Sequence, residues 1–416
     1  MTLSNRRVLY ISYNGMLDPL GQSQVIPYLK ELSRAGVRFT LLSFERSLAF
    51  TAEGVERCAA LRRELAASEI DWHWLRYHQT PSLPATGYDV WAGIRYGSRL
   101  VRRQQIEMVH ARSHIPAAIA LRLQRRFGVK MIFDVRGLLA DEYVDAGHWQ
   151  KDSIPYRITK SVESRALAAA DGVVTLTERI WPVMNQWDSL RNHRVAHEVV
   201  PCCADLELFR FSEADRARRR IELGLQDRLV LIYGGSIDGW YLSESMADFF
   251  VTMRRQRLDA HFLWLTPARH ERVHELMSAR GVIATDYTVL ASASRDVPSY
   301  LSAADAGLAF IKPCFSKLAS SPTKYAEYLG CGLPLIINEG IGDSDVLITR
   351  EKVGTLVRSF DEREYADSVA VIEGFTRDPE QTRRHAREVA ERLFDVRRTG
   401  AEAYVRLYQD VLDHTD

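Results

Sequence analysis

Residues 320–337 read SSPTKYAEYLGCGLPLII. Ser321 or Ser320 can cap a helix here, Pro322 suits the first helical position, and Tyr325, Tyr328 and Leu329 give the body one apolar side. Gly330 and Gly332 stop it. The run 333–337 is too short and too uniformly apolar for an amphipathic helix and reads as a parallel strand buried on both faces. That pairing puts the helix start on the loop side of an open α/β sheet, where such sheets hold their ligands. Free amides at the helix start, with Lys324 beside them, suit a phosphate or pyrophosphate. Glu327, one turn on, can accept hydrogen bonds from sugar hydroxyls. Read alone, the same residues also fit an ordinary surface helix with a solvated Lys and Glu.

Outward from this stretch the chain alternates short apolar runs with helical patterns. Candidate strands fall at 8–12, 39–44, 72–77, 108–111, 131–135, 172–176 and 198–201, then at 229–233, 261–266, 287–290, 306–311, 333–337 and 354–357. Strands separated by helix-length segments predict doubly wound parallel sheets, and 416 residues exceed one core. The expected organisation is a Rossmann-like domain over 1–203, a second over 204–378, and helices over 379–416 that pack back across both. The boundary sits in PCCADLELFR (201–210), where a strand ends and an arginine-rich helical pattern begins.

Composition narrows the function classes. Apolar content of 46% and charged content of 26% are those of an ordinary globular protein with a sizeable core. Net charge is +1, but residues 1–200 carry 27 Lys and Arg against 20 Asp and Glu, an excess of +7 that suits an anionic partner such as a phospholipid surface. No aromatic-interleaved basic motif or zinc-finger spacing accompanies it, which argues against nucleic acid. Five cysteines, with Cys202 and Cys203 adjacent, lack the spacing of a redox or zinc pair and read as reduced packing residues. The polar start MTLSNRR and the lack of any long apolar segment predict neither signal peptide nor transmembrane helix, hence a cytoplasmic protein.

The first half holds three further signals. In YNGMLDPLGQSQ (13–24), Gly15 and Gly21 let the backbone approach a ligand, while Gln22, Ser23 and the helix start offer donors. Gly-x-Gly-x-x-Gly is absent, which counts against a nicotinamide-dependent dehydrogenase. HARSH (110–114) ends a strand and offers Arg112 as an anion clamp and His114 as a proton acceptor or hydrogen-bond partner. FDVRGLLADE (133–142) gathers Asp134, Arg136, Asp141 and Glu142 after another strand, as a polar pocket or an internal ion-pair network.

Taken together, YISYNGMLDPLGQSQ, VHARSHIPAAIAL, FDVRGLLADE, VVPCCAD, YGGSIDGWY and SPTKYAEYLGCGLPLII occur in an order that resembles the family 4 (group 1) retaining glycosyltransferases of the GT-B architecture. The resemblance implies two Rossmann-like domains facing a deep cleft, with the donor bound mainly by the second and the acceptor by the first. It implies donor contacts from Gly21, Gly235, Ser236, Arg295, Ser321, Pro322, Thr323, Lys324 and Glu327, the last matching the second glutamate of the family's paired motif. Catalytic roles then fall to Lys324, Glu327, Arg112 and His114, and the acceptor side to Asn14, Gln22, Asp134, Arg136, Asp141 and Glu142. The family's first-domain histidine falls nearest Arg112 and His114. Two departures stand out. Ala319 occupies the place of the motif's first glutamate, and GGSIDGW (234–240) lacks the basic residues that many members use to grip the pyrophosphate.

The implied reaction moves a sugar from a nucleoside-diphosphate sugar to a glycan or lipid-linked acceptor in cell-surface polysaccharide synthesis. Departure of the diphosphate builds negative charge, which Lys324 and helix amides would stabilise, with no metal or other cofactor expected. The protein would be cytoplasmic, with possible weak contact at the inner membrane face. A nucleotide-sugar epimerase of the same fold and a non-catalytic nucleotide-sugar-binding scaffold are the alternatives.

Overall fold

The computed structural model describes residues 3–191 and 194–413. The chain divides into two compact units, Met1–Pro201 with Val396–Asp416, and Cys202–Asp395. Each is built on a wholly parallel sheet, as the alternation of strand and helix patterns requires.

In the first unit the strands are β1 (Arg7–Ser12), β2 (Arg38–Glu45), β3 (Ile70–Arg76), β4 (Met108–Arg112), β5 (Lys130–Asp134), β6 (Gly172–Thr175) and β7 (Ala196–Val199), ordered β3-β2-β1-β4-β5-β6-β7. Tyr10 pairs with Leu41 on one side and His110 on the other, so the order reverses between β1 and β4. The helix Glu402–Asp413 covers part of this sheet and buries Tyr404, Leu407, Tyr408 and Val411. It comes close at Gly172, where a Cβ would lie 2.8 Å from Val411 Cγ2.

The second unit holds β8 (Leu229–Gly234), β9 (Ala260–Leu265), β10 (Tyr287–Leu290), β11 (Ala306–Ala309), β12 (Leu335–Asn338) and β13 (Gly354–Val357), ordered β10-β9-β8-β11-β12-β13. Along β8, Val230 and Ile232 join one apolar cluster while Leu229, Leu231 and Tyr233 join another, so the sheet is buried on both faces. The helix Pro379–Leu393 packs within this unit.

All thirteen expected strands are present, with two local corrections. The last strand of the first unit pairs over Ala196–Val199, two residues before the expected 198–201. β12 starts at Leu335 rather than Leu333, because Pro334 has no N–H to give and contributes its carbonyl to Gly307 N instead. The 320–337 helix also starts differently from the expectation. It runs Thr323–Gly330 with Pro322 at the N-cap and no side-chain cap, while Ser321 Oγ accepts from Cys202 N at 3.1 Å. None of the five cysteines is in a disulfide, and four of them are buried. Among the described residues, no helix is long and apolar enough to cross a membrane.

Candidate functional site

In the second unit the order reverses between β8 and β11, and the loops that leave these two strands meet there. β8 runs into Gly234 and Gly235. Gly235 adopts φ +148°, and a Cβ on it would lie 3.0 Å from Tyr233 Oη and 3.2 Å from Lys324 Nζ. Only glycine fits that backbone and that space. Gly234 N donates to Tyr328 Oη at 2.8 Å, and Tyr233 Oη donates to the Ser236 carbonyl at 2.5 Å. The loop is thus fastened to the Thr323–Gly330 helix through its tyrosine.

Lys324 is buried, with Nζ 3.8 Å from the Tyr241 ring centre and 5.3 Å from that of Tyr233. Its charge holds the Tyr241 hydroxyl below its ordinary pKa, against the effect of burial. Lys317, also buried, lies over Trp240 at 3.8 Å. Two buried ammonium groups therefore flank the aromatic pair Trp240 and Tyr241 that follows the glycine loop. Burial pushes the Glu327 carboxyl up to about 7, although Lys324 pulls it the other way. Ser321, Pro322 and Thr323 remain partly exposed at the helix start, whose first N–H groups have no acceptor within the helix. Asn338 braces the neighbouring loop, accepting from Ile311 N at 2.7 Å and donating to the Ile311 carbonyl at 2.9 Å. Arg295 stands apart from this group. It follows the edge strand β10, and its exposed guanidinium lies 4.0 Å from Asp296.

The remaining candidates belong to the first unit. Gly21, read from sequence as a donor contact, packs on the loop itself: a Cβ there would lie 2.2 Å from the Gly15 carbonyl oxygen. Gln22 Nε2 donates to the Met16 carbonyl at 2.6 Å. Asn14 Oδ1 accepts from Arg112 Nη1 at 3.2 Å, which joins the ends of β1 and β4, and the buried Nε of Arg112 has no hydrogen-bond partner. His114 is buried, with Nε2 3.0 Å from Glu163. Glu163 also binds Lys160, which reaches Asp141 at 3.1 Å. Burial works to raise the Glu163 carboxyl, yet His114 and Lys160 together hold it below the ordinary range. Asp134 accepts from Tyr404 Oη at 2.9 Å and lies 3.5 Å from His110 and 3.9 Å from Arg136. Burial opposes its ionisation, but Arg136 and His110 outweigh it and the pKa falls. Glu142 lies beside Gly137, whose Cβ would come within 3.2 Å of its Oε1.

The structure therefore groups Gly235, Ser236, Lys324 and Glu327 around one loop and one helix. It joins Arg112 with Asn14, Asp134 with Arg136, and His114 with Asp141 through a lysine and a glutamate. Lys317, Tyr241, Tyr328, Lys160, Glu163 and Tyr404 were not among the sequence candidates. Tyr328, one turn beyond Lys324, was in reach of helical spacing. Lys160 and Glu163 are likewise neighbours on one helix, Ile154–Ala169, whereas Lys317, Tyr241 and Tyr404 reach their partners through tertiary contact.

Residues 24–197 match the family model for the glycosyl transferase 4-like domain. No curated protein sequence matches the chain. Among solved structures, a glycosyltransferase from Rickettsia africae ESF-5 shares the fold at a TM-score of 0.74 and 12% identity, over 99% of this chain and 100% of that one. Sucrose-phosphate synthase from Thermosynechococcus elongatus does so at 0.72 and 16%, over 99% and 100%. HepE of Anabaena, in complex with UDP-glucose, does so at 0.68 and 13%, over 98% of each chain. Residues 24–197 of the first unit thus match a glycosyl transferase 4-like domain, and the two-sheet GT-B fold is shared from end to end with these solved structures.

Proposed function

We propose that this chain is a retaining transferase that moves a sugar from a nucleoside-diphosphate sugar to a glycan or lipid-linked acceptor in cell-surface polysaccharide synthesis. The observation that carries the reading is the convergence of two buried lysines, a glycine loop, a helix start and Glu327 at the β8/β11 reversal. In this reading Lys317 and Lys324 supply the positive charge that the glycine loop lacks, and they act on the diphosphate as its charge grows. Glu327 accepts from the ribose hydroxyls. The diphosphate oxygen takes the acceptor's proton as the new bond forms on the face the diphosphate leaves, so configuration is kept. The lysines and amides carry the departing charge without a metal. The UDP-glucose complex of HepE supports a nucleotide-sugar donor.

The test is thermal unfolding with UDP, GDP, ADP and their sugars. The matching nucleotide at about 100 times its Kd should add about 2.7 kcal/mol. No shift with any of them would sink the donor assignment. Nucleotide released only when acceptor is present marks transfer. Epimerised donor would mark an epimerase instead, a reading favoured by the fold shared with a putative UDP-N-acetylglucosamine 2-epimerase from Listeria monocytogenes at a TM-score of 0.61.

The acceptor's lipid carrier would be met at the cytoplasmic face of a membrane. Arg95, Arg99, Arg102 and Arg126, which line a hollow of about 390 Å³ with Trp91, are the contacts proposed for anionic headgroups. Sedimentation with anionic vesicles that persists unchanged in high salt, or equals that with neutral vesicles, would refute this docking.

A further inference from the structure

Asp89 sits in the helix Ser82–Gln104 with its side chain only 1% exposed, and the mechanism proposed above does not use it. Its Oδ2 accepts from Tyr13 Oη at 2.8 Å and from His78 N at 3.0 Å, and its Oδ1 lies 2.6 Å from His78 Nδ1. A carboxylate can only accept, so Nδ1 of His78 carries the hydrogen. The other ring nitrogen, Nε2, is left for a ligand, and this side chain is 39% exposed. Buried Asp89 thus fixes the direction of an outward-facing ring nitrogen.

Beside it stands an aromatic shelf. Tyr88 is 54% and Trp91 56% exposed, with ring centres 5.7 Å apart, and Tyr88 meets the His78 ring edge-on at 5.2 Å. Tyr13 is braced beneath by Phe44 and Tyr77, at 5.1 and 5.2 Å. Tyr13 follows β1, and His78 follows β3 by two residues, so the group lies at the same strand ends as Asn14 and Arg112.

We propose that Tyr88 and His78 form a subsite for a sugar ring of the acceptor, a deepening that rests on the transferase reading. The apolar C–H face of a pyranose stacks on Tyr88, with Trp91 extending the shelf, and a hydroxyl of the same ring hydrogen-bonds His78 Nε2. Asp89 and Tyr13 are positioning residues. Sugar is the occupant the group fits, because exposed aromatic faces adjoin a fixed ring nitrogen that a hydroxyl, able both to donate and to accept, satisfies.

The test uses the full chain and saturation-transfer NMR with the methyl glycosides of glucose, galactose, mannose and N-acetylglucosamine. At least one should receive saturation through the C–H protons of a single face. Tyr88→Ala and His78→Leu should each weaken that binding about fivefold or more. UDP stabilisation measured on the same variants reports their folding. Parent protein that responds to UDP but saturates no sugar overturns the subsite and leaves the donor reading standing. Parent protein that fails to respond to UDP defeats the donor reading, whatever the sugars do. Folded variants that saturate like the parent, or that lose only binding to anionic vesicles, would make the shelf a membrane contact and overturn the proposal.

Discussion

Glu327 and Lys324 lie one turn apart, and in the proposed reading they do different work. Glu327 has its pKa pushed up to about 7 by burial, against an ordinary value of 4.5. Between those two pH values the folded chain holds a proton that the unfolded chain has released, so the contribution of this group to stability falls as pH rises through that window. Glu327→Gln should remove this slope and gain on the parent by on the order of 1–3 kcal/mol between pH 4.5 and 8, read from unfolding midpoints. A carboxylate accepts from ribose hydroxyls better than a carboxylic acid does. UDP affinity of the parent should therefore rise as pH passes about 7 more steeply than that of Glu327→Gln, in which only the nucleotide's own titration remains. Parallel profiles would place the ribose elsewhere. Glu327→Ala should mainly weaken donor binding, by roughly 1.5–3 kcal/mol for charge-assisted bonds. Lys324→Ala should lower the maximal rate as well, since its contact strengthens as the diphosphate departs. Both residues stood out in the sequence as candidates, because a lysine and a glutamate one turn apart at a helix start carry a local signal. Lys317 was not, since its place beside Trp240 depends on how two distant loops meet.

At the scale of elements, the Thr323–Gly330 helix is held to the sheet by Tyr328. Its ring lies flat over β11, where a Cβ on Gly307 would come within 2.2 Å of Tyr328 Cδ2, and its hydroxyl accepts from Gly234 N at 2.8 Å. One side chain therefore fixes both the height of the helix above the sheet and the exit of the glycine loop from β8. Tyr328→Phe keeps the packing and removes the acceptor, leaving the Gly234 amide unpaired, which should cost about 1–3 kcal/mol. Nucleotide affinity should fall too, as the loop loses its fastening. A variant with parent-like unfolding and parent-like UDP affinity would show that the fastening is dispensable. The sequence announced this helix through its apolar spacing and its terminal glycines. It misplaced the cap, because serine hydroxyls at 320–321 satisfied the local rule while the folded chain turned Ser321 toward Cys202. Local propensity finds a helix. Which polar atom ends it is decided by whatever the fold brings alongside.

For the molecule as a whole, alternating strand and helix patterns determined two parallel sheets, and the domain boundary was readable from the break near residue 201. The destination of the chain's end was less readable, since an amphipathic helix declares an apolar face without naming the surface that receives it. The Glu402–Asp413 helix returns to the first unit and buries Ala403, Tyr404, Leu407, Tyr408, Val411 and Leu412. It also completes a polar core, with Tyr404 Oη donating to Asp134 at 2.9 Å and Tyr408 Oη 2.7 Å from His110 Nδ1. At roughly 1.5–3 kcal/mol for each large apolar side chain, removing it withdraws on the order of 10 kcal/mol, comparable to the 5–15 kcal/mol that holds a whole domain. It would also leave Asp134 without its tyrosine donor. A chain ending at Asp395 should therefore lose the cooperative unfolding of the first unit. Cys202–Asp395 should still unfold cooperatively, because its own helix Pro379–Leu393 is retained. If the donor site lies wholly in that unit, UDP should still raise its unfolding temperature. Calorimetry of the shortened chain with and without UDP reads both. Two intact transitions would mean that the returning helix is not needed for folding. A surviving second transition that ignores UDP would mean that residues of the first unit are required to bind the donor.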